Sequence, residues 1–384
     1  QASRQVWQQG SYHELSLAAE KLGIATNLIS AVKLAKKSLD ARRKSNICYV
    51  ISVDCKLKNE ADIALNNDIE PLKDVEEYTL PQVKMQIPPV VIGSGPAGMA
   101  AALALAEAGL CPLVFERGKD ADARKKDVDT FWQSGNLNIV SNVQFGEGGA
   151  GTFSDGKLMT GIKKDKYVRK VLHEFVQAGA PEEILYLAKP HIGTDKLIKM
   201  VKNIRRKIED LGGKYYFEHR LNKLLVNDDK IIGIEVTDAG GNIKQFAAEN
   251  VVLAIGHSAR DTFEMLYNEH IPIEQKPFSV GARIEHKQSL INKAQYGAEK
   301  INGLGAADYK LAVHLKNGRS AYTFCMCPGG SVIAAASEQG RVVTNGMSEY
   351  ARDTENANAA LLVGVGTEDF ASKHPLAGMY FQQK

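Results

Sequence analysis

Apolar and polar residues follow two different periods in the first 86 residues of the chain. Apolar residues at helical spacing predict a short helix over Glu14–Leu22. Residues from Ile47 to Leu57 alternate between two faces, which predicts a half-buried strand, and Ile29–Leu34 is its candidate partner. We therefore expect residues 1–86 to form a small α+β domain of ferredoxin-like type that ends in a polar linker.

Beyond residue 86, short apolar segments alternate with longer helical ones, which is the pattern of a βαβ fold. Val90–Ile92 is apolar throughout, as expected for a strand of a parallel sheet that is covered on both faces. We expect residues 87–276 to form a Rossmann-like domain with a central parallel sheet and helices on both faces. The pattern predicts its further elements over Pro96–Ala108, Cys111–Glu116, Lys166–Ala178, Thr194–Leu211, Tyr215–Phe217, Leu221–Asn227, Ile231–Thr237 and Asn250–Ile255.

Residues 277–384 are richer in short strands and turns. Strands are predicted over Tyr322–Met326, Ser331–Ala336 and Arg341–Thr344. We expect an inserted, largely antiparallel substrate domain here. The fold class predicted for the whole chain is α/β.

The segment GSGPAG, residues 93–98, comes directly after a predicted strand and opens a predicted helix. This is the context that a dinucleotide-binding motif requires. The first glycine allows a sharp turn, the second lets a pyrophosphate approach the main chain, and the third lets the helix pack closely on the strand. The N–H groups of the first helical turn then attract the phosphates. The expected cofactor contacts are Gly93, Gly95, Pro96, Ala97 and Gly98.

An acidic residue, Glu116, ends the second predicted strand, at about the 20-residue separation from the glycines that the motif requires. Its carboxylate is expected to bind the adenosine ribose and to repel a 2′-phosphate, so the site should prefer FAD or NAD to NADP. A basic stretch follows, in which one residue, with Arg117 the candidate, is expected to contact the cofactor while most form a solvated helix face. Its members are Arg117, Lys119, Arg124, Lys125 and Lys126.

A second glycine-rich loop, Gly146–Thr152, favours FAD over NAD. FAD is long and needs a second main-chain surface near its ribityl chain and ring, and glycines let that main chain come close. A third segment, Val251–Ile255, is a predicted strand that ends at a glycine. The cofactor contacts expected from these parts of the chain are Gly148, Gly149, Gly151, Thr152, Ser154, Leu221, Ala254, Gly256 and His257.

These motifs together resemble one protein family. The chain is similar to the uncharacterised FAD-dependent dehydrogenases, or NAD(FAD)-utilising dehydrogenases, of the glutathione-reductase-like superfamily of two-dinucleotide-fold flavoproteins. The resemblance implies bound FAD, redox activity and a strand that passes beneath the FAD, and it names no substrate. It is carried by residues 37–44, 90–158, 254–263, 306–311, 323–330 and 345–348.

The sequence departs from the superfamily at its C-terminal end. The superfamily usually returns to the FAD domain there with a Gly-Asp segment and a glycine-rich helix start. No such segment occurs before Lys384, and Gly364-Val365-Gly366 is a poor substitute because no apolar helix follows. We therefore expect the FAD site and the substrate domain to be C-terminally incomplete.

Two cysteines, Cys325 and Cys327, are the candidates for protein-based chemistry. In an extended chain residues two apart share a face, so the two thiols would form a redox disulfide or supply a reactive thiolate. The alternative, which we favour, is two buried small residues before a turn. For His257 a flavin contact competes with the commoner role of capping a helix or packing locally.

Composition narrows the classes of partner. The net charge of +3 and the pI near 8.4 are too small to indicate nucleic acid or an anionic membrane. The most apolar helical run, Met99–Leu110, is too short to span a membrane and contains Glu107. Five cysteines at irregular spacing argue against a disulfide framework and favour the reducing cytoplasm. We expect no metal site.

The first 86 residues are locally basic, which raises an alternative, a flavoenzyme that acts on RNA through its N-terminal domain. No aromatic residues are interleaved with the charges, so we favour a solvated surface and expect no nucleic-acid partner. The basic residues are Lys33, Lys36, Lys37, Arg42, Arg43 and Lys44.

The function predicted from the sequence is an FAD-dependent oxidoreductase that acts on an unidentified small molecule. NADH or NADPH is a candidate electron donor. A non-catalytic FAD-binding protein is the remaining alternative.

Overall fold

The computed structural model describes residues 12–59, 63–72, 78–162 and 165–384. The chain divides into two compact units. The first comprises residues 1–78, 157–176 and 181–191, and the second comprises residues 79–156, 177–180 and 192–384.

The helices and strands are as follows. In chain order they are α1 (Tyr12–Leu22), β1 (Ile29–Asp40), β2 (Cys48–Leu57), β3 (Val90–Ile92), α2 (Pro96–Glu107), β4 (Leu113–Glu116), α3 (Ala121–Ser134), α4 (Asp165–Gln177), α5 (Thr194–Asp210), β5 (Lys214–Phe217), β6 (Arg220–Asn227), β7 (Lys230–Thr237), β8 (Ile243–Ala247), β9 (Val251–Leu253), α6 (Arg260–Asn268), β10 (Phe278–Lys287), α7 (Gln288–Tyr296), β11 (Ala312–His314), β12 (Ser320–Cys327), β13 (Gly330–Ala334), β14 (Thr344–Ser348), β15 (Asn356–Val365) and α8 (Ala377–Gln383).

In the first unit, α1 packs on an antiparallel pair formed by β1 and β2. Ala18, Ala19, Ile29 and Val32 form its buried core, and Val53 packs against them. The predicted helix and both predicted strands are confirmed, although β1 runs six residues further than its predicted end at Leu34. The ferredoxin-like arrangement stays a prediction, because residues 12–59 hold one helix and two strands.

The second unit contains the predicted parallel sheet, with strand order β5-β4-β3-β9. Helix α2 contacts β3, β4 and β9, and α5 contacts β5. On the other side, Val90, Ile92 and Phe115 share a core with the antiparallel sheet β6-β7-β8 and with Leu266 of α6. The predicted covering of both faces by helices is therefore confirmed for α2 and α5 on one face and only in part on the other, where α6 shares the position with a sheet. An antiparallel sheet with α6 covers the second face, because alternate apolar residues of β6 and β7 point towards it.

Strand β9 lies at the edge of this sheet, next to β3. The prediction of a buried strand here was wrong, because Val252 and Leu253 are 37% and 39% exposed. An apolar run alone does not distinguish an edge strand from a central one.

Residues 277–384 contain another antiparallel sheet, with strand order β10-β15-β12-β11, and the hairpin β13-β14. The strand predicted over Arg341–Thr344 was wrong, since β14 begins at Thr344. Val342 has high β propensity, but it lies outside the paired part of the hairpin and is 91% exposed. Helix α7 was not predicted. Among the described residues, no helix is both long and apolar enough to cross a membrane.

Candidate FAD site

The first glycine loop, Gly93–Gly98, joins β3 to α2. Gly93 has a φ of 99°, and a methyl group added there would overlap the carbonyl oxygen of Ala254. A methyl group at Gly98 would overlap the carbonyl oxygen of Gly93. Both sites exclude a side chain because main chain from β3, α2 and the end of β9 meets here. The turn and the close helix packing expected of these glycines are thus present.

The N-terminus of α2 is open on its outer side. Gly95 is its N-cap and no side chain caps the helix, while Pro96 and Ala97 are exposed. A Cβ at Gly95 would have a single neighbour within 4 Å, the Cα of Gly149 at 3.9 Å. The N–H groups of the first turn lack intrahelical acceptors. This uncapped, side-chain-free end of a 12-residue helix fits a pyrophosphate.

The second glycine loop, Gly146–Thr152, lies against the first. The N–H of Gly148 donates to the carbonyl of Ser94 over 2.7 Å. A Cβ at Gly149 would lie 3.0 Å from the Cα of Gly95, and one at Gly151 would lie 3.4 Å from Pro96. Side chains at these positions would fill the space beside the N-terminus of α2.

The end of β9 completes the crevice. The N–H of Ala254 donates to the carbonyl of Ile92 over 2.8 Å, which places it beside Gly93. Gly256 has a φ of 68° and open space where a Cβ would stand. The three glycine-bearing segments therefore meet, as the sequence predicts.

Glu116 lies at the centre of this meeting and is 5% exposed. Its Oε2 accepts a hydrogen bond from the N–H of Ser94 at 2.7 Å, and its Oε1 accepts from Gly118 and Gly146 at 2.9 and 3.0 Å. A carboxylate has about four acceptor positions, so one remains for a ribose hydroxyl. Glu116 thus joins the two glycine loops in addition to any ribose contact, which stays a prediction.

Two further residues predicted to contact the cofactor, Arg117 and Leu221, are packed against other parts of the protein. Arg117 is an ion-pair partner of Asp261 at 2.8 Å, and its guanidinium stacks on the ring of Phe145, 4.5 Å from its centroid. The side chain of Leu221 belongs to the core between the two sheets. Any cofactor contact of Leu221 would therefore have to be made by its main chain.

The two hydroxyls expected near the ribityl chain are engaged by their own loop. Thr152 Oγ1 donates to the carbonyl of Glu147 over 3.2 Å, and Ser154 Oγ donates to the carbonyl of Gly151 over 2.6 Å. The sequence prediction missed that these hydroxyls hold the loop's shape, and their contact with the ribityl chain stays a prediction.

Arg124 is the main residue that sequence reasoning missed. A solvated helix face was wrong for it, because its side chain is fully buried among the carbonyls of the second loop. Lys125 does lie on the exposed face, paired with Asp129. The signal was present in the spacing, since Arg124 falls between Ala121 and Val128 on the buried face of α3.

Glu147 is a second buried charge behind the loop. Its Oε2 accepts from the N–H of Ala121 at the start of α3 over 2.7 Å, and its Oε1 accepts from Arg205 Nε on α5 over 2.7 Å. The carboxylate is fully buried and complements the positive end of α3. It ties the second loop to two helices.

His257 lies just beyond the end of β9. Its Nδ1 is 3.1 Å from Ser258 Oγ, which donates to Gln144 Oε1 over 3.4 Å. Partial desolvation and the nearby Arg260 guanidinium lower the pKa of His257 below its usual value. The neutral imidazole is therefore favoured, and its flavin contact stays a prediction.

Cys325 and Cys327 do not share a face. The chain has a β-bulge between Phe324 and Cys327, and Cys325 is left-handed with a φ of 46°. The premise of an extended chain therefore fails. The buried thiol of Cys327 donates to the Cys325 carbonyl over 3.4 Å. This geometry agrees with the non-redox alternative.

The basic residues singled out in the sequence lie within the β1–β2 hairpin, on β1 and in the turn that follows it. Arg42 forms a bidentate ion pair with Asp40, and Lys37 lies 4.4 Å from the centroid of the Tyr49 ring. Part of the positive charge is thus compensated within the hairpin. RNA binding stays an untested prediction.

Three family models match the chain. An FAD binding domain matches residues 89–196, which include both glycine loops. The model described as FAD-dependent protein, C-terminal domain-like, matches residues 277–384, and a domain of unknown function matches residues 14–56.

An uncharacterized protein of Clostridium beijerinckii is 48% identical over 371 residues, which are 95% of this chain and 68% of that protein. The chain belongs to the same family as this clostridial protein. Because the FAD binding model covers both glycine loops of the crevice described above, FAD is the cofactor of this chain.

Solved structures resemble the chain only weakly. The flavin-dependent brominase Bmp2 is 15% identical, with a TM-score of 0.38 over 73% of this chain and 56% of its own. The glycerol-3-phosphate dehydrogenase of Bacillus halodurans, complexed with FAD, is 13% identical, with a TM-score of 0.35 over 68% of this chain and 47% of its own. This chain spans about half the length of these two proteins. TM-scores this low do not establish a shared fold.

Proposed function

We propose that this chain is the FAD-binding part of an oxidoreductase that acts on an unidentified small molecule. The observation that carries the proposal is the meeting of three glycine-bearing segments, where Gly149 lies against Gly95 and the carbonyl of Ala254 lies against Gly93. FAD, when bound, supplies hydride or electron transfer. The chain's part is to hold the cofactor and to limit the access of water. NADH or NADPH is the proposed electron donor.

We assign the chain to the two-dinucleotide-fold flavoproteins of the glutathione-reductase-like superfamily. The order β3, α2, β4 with a glycine motif at the first turn supports this assignment, as does the parallel pairing of β9 with β3. The irregular spacing of the five cysteines supports a reducing, cytoplasmic location.

Residues 277–384 are proposed to form the substrate-facing wall of the site. Arg352 donates two hydrogen bonds, of 2.8 and 2.5 Å, to the carboxylate of Asp155, which is 1% exposed and follows the second glycine loop. The Gln144 amide donates to the carbonyl of Ala335 over 3.1 Å. Both contacts join this region to the segment that lines the FAD crevice.

The test is a visible absorption spectrum of the full-length protein, followed by release and identification of the chromophore. We expect a flavin spectrum and FAD in the released fraction. Anaerobic addition of NADH or NADPH should then bleach the bound flavin faster than free FAD under the same conditions. A colourless protein that does not take up added FAD would overturn the proposal.

A bound flavin that neither nicotinamide nor a dithiol reduces would favour a non-catalytic FAD-binding protein instead. Separate titrations with NADH, NADPH and dithiothreitol distinguish the two functions. Free FAD serves as the control for direct chemical reduction.

A further inference from the structure

The second glycine loop is wrapped around the guanidinium of Arg124. Nε donates to the carbonyl of Asn142 over 2.8 Å, and Nη1 donates to that of Glu147 over 2.6 Å. Nη2 donates to the carbonyls of Val143 and Gly149 over 3.0 and 2.8 Å. One side chain on α3 thus fixes four peptide units of the loop and of the segment that leads into it.

These hydrogen bonds also decide where the N–H groups of the loop point. In a trans peptide unit the C=O and N–H groups point in opposite directions. The carbonyl of Glu147 faces Arg124, and the next N–H, that of Gly148, donates to Ser94 in the first glycine loop. The carbonyl of Gly149 also faces Arg124. The N–H of Ala150 therefore points away from the guanidinium.

The position of Arg124 is fixed from two more sides. A methyl group at Gly146, whose φ is 122°, would overlap the Arg124 side chain. The guanidinium carbon lies 4.9 Å from the centroid of the Phe153 ring. Burial lowers the pKa of Arg124 to about 10, so the guanidinium is still charged at neutral pH. A charged donor group without freedom to move makes a rigid template for the loop.

We propose that Arg124 is the positioning residue that holds the second glycine loop in its FAD-binding conformation. The inference rests on the FAD site proposed above. Arg124 acts through the loop, because its donors face the carbonyls on the side opposite to the N–H of Ala150 and to the first glycine loop.

The test measures the dissociation constant of FAD for the full-length protein and for Arg124→Lys. Lysine keeps the charge but replaces the planar fork by one ammonium group, which cannot reach all four carbonyls. The loop then loses hydrogen bonds to buried carbonyls, and we expect FAD to bind about tenfold to 100-fold more weakly. Titration followed by flavin fluorescence gives the constant without any assay of activity.

The matched control is Phe370→Leu, a change in a buried cluster with Phe278 and Phe381. It should lower stability and leave the dissociation constant within about twofold of the wild type, because it touches neither glycine loop. Gly146→Ala is the second variant, since its methyl group displaces the Arg124 side chain. It should weaken FAD binding, and combined with Arg124→Lys it should add little more, because both changes break one arrangement.

Wild-type affinity for FAD in folded Arg124→Lys overturns the proposal. If Arg124→Lys does not fold, wild-type affinity in Gly146→Ala has the same consequence. Equal weakening in Phe370→Leu also overturns it, because the effect would then follow stability alone. Failure of the unaltered protein to bind FAD is a different result and overturns the FAD site itself.

Discussion

The two glycine loops that meet at the N-terminus of α2 are held in different ways. The loop Gly93–Gly98 is held chiefly by close main-chain packing, since methyl groups added at Gly93 and Gly98 would overlap carbonyl oxygens, and one carboxylate, that of Glu116, accepts from its Ser94 N–H. The loop Gly146–Thr152 shares Glu116 and is held in addition by two fully buried charged side chains, Arg124 and Glu147. The first loop depends mainly on the lack of side chains at its glycines, and the second depends on buried charges. Glycine spacing is therefore a fuller description of the first loop than of the second.

The first loop should be the more sensitive to a single added methyl group. Gly98→Ala places a Cβ on the carbonyl oxygen of Gly93, and neither main-chain segment is free to move. We expect a loss of about 3 kcal/mol in the free energy of unfolding and a protein purified without FAD. Urea unfolding and the flavin absorbance of the purified protein measure the two effects.

Gly305→Ala is the control for this change, because nothing lies within 4 Å of its added Cβ. It should change the free energy of unfolding by less than about 0.5 kcal/mol. If Gly98→Ala had wild-type stability and full FAD content, the first loop would be able to move aside for a methyl group. The proposed difference between the two loops would then be wrong.

The second loop should respond most to its buried charges. In Glu147→Gln an amide NH₂ group takes the place of the carboxylate oxygen that accepts either from Arg205 Nε or from the Ala121 N–H, at a side chain that is fully buried. We expect a loss of about 2 kcal/mol in the free energy of unfolding, together with weaker FAD binding. Urea unfolding and FAD titration provide the measurements.

The control for the effect of burial is the second ion-pair partner of Arg205, which is more exposed than Glu147. Glu209 lies 3.4 Å from Arg205 Nη1, and its side chain is 38% exposed. Glu209→Gln should cost less than about 0.5 kcal/mol, because an exposed i,i+4 pair contributes little. If the two Gln variants were equally stable, burial would not be what makes the second loop depend on charge.

The same contrast explains how much of the site was predictable. The strand, turn and helix around residues 90–107 could be predicted from the local sequence pattern. The glycines there meet main chain of the same motif, as Gly98 meets Gly93, or of a neighbouring strand end, as Gly93 meets Ala254. Arg124 was placed on a solvated face because basic residues surround it in the sequence. Its acceptors are the carbonyls of residues 142–149, and only the folded loop brings those oxygens together.

The fold shows the same limit at a larger scale. The parallel strands β3 and β4 are apolar enough to be predicted individually. Which elements cover the second face of their sheet could not be predicted from their own residues. Leu221 and Val236 lie in strands whose alternation is visible in the sequence, but pairing decides that they cover Ile92. The edge position of β9 is likewise a property of the sheet order and not of its own residues.

The segment after β9, which contains His257, is the third part of the crevice, and we expect its substitution to have the smallest effect on stability. Desolvation and Arg260 depress the pKa of His257 in the folded protein. A depressed histidine pKa gives stability that is present above the unfolded pKa and is lost as the pH falls towards the folded one. The urea midpoint of the wild type should therefore fall more steeply from about pH 7.5 to about pH 5.5 than that of His257→Gln. His314→Gln, in strand β11 of the antiparallel sheet β10-β15-β12-β11, should follow the wild type. Equal slopes in the wild type and His257→Gln would mean that the His257 imidazole does not stabilise this strand end.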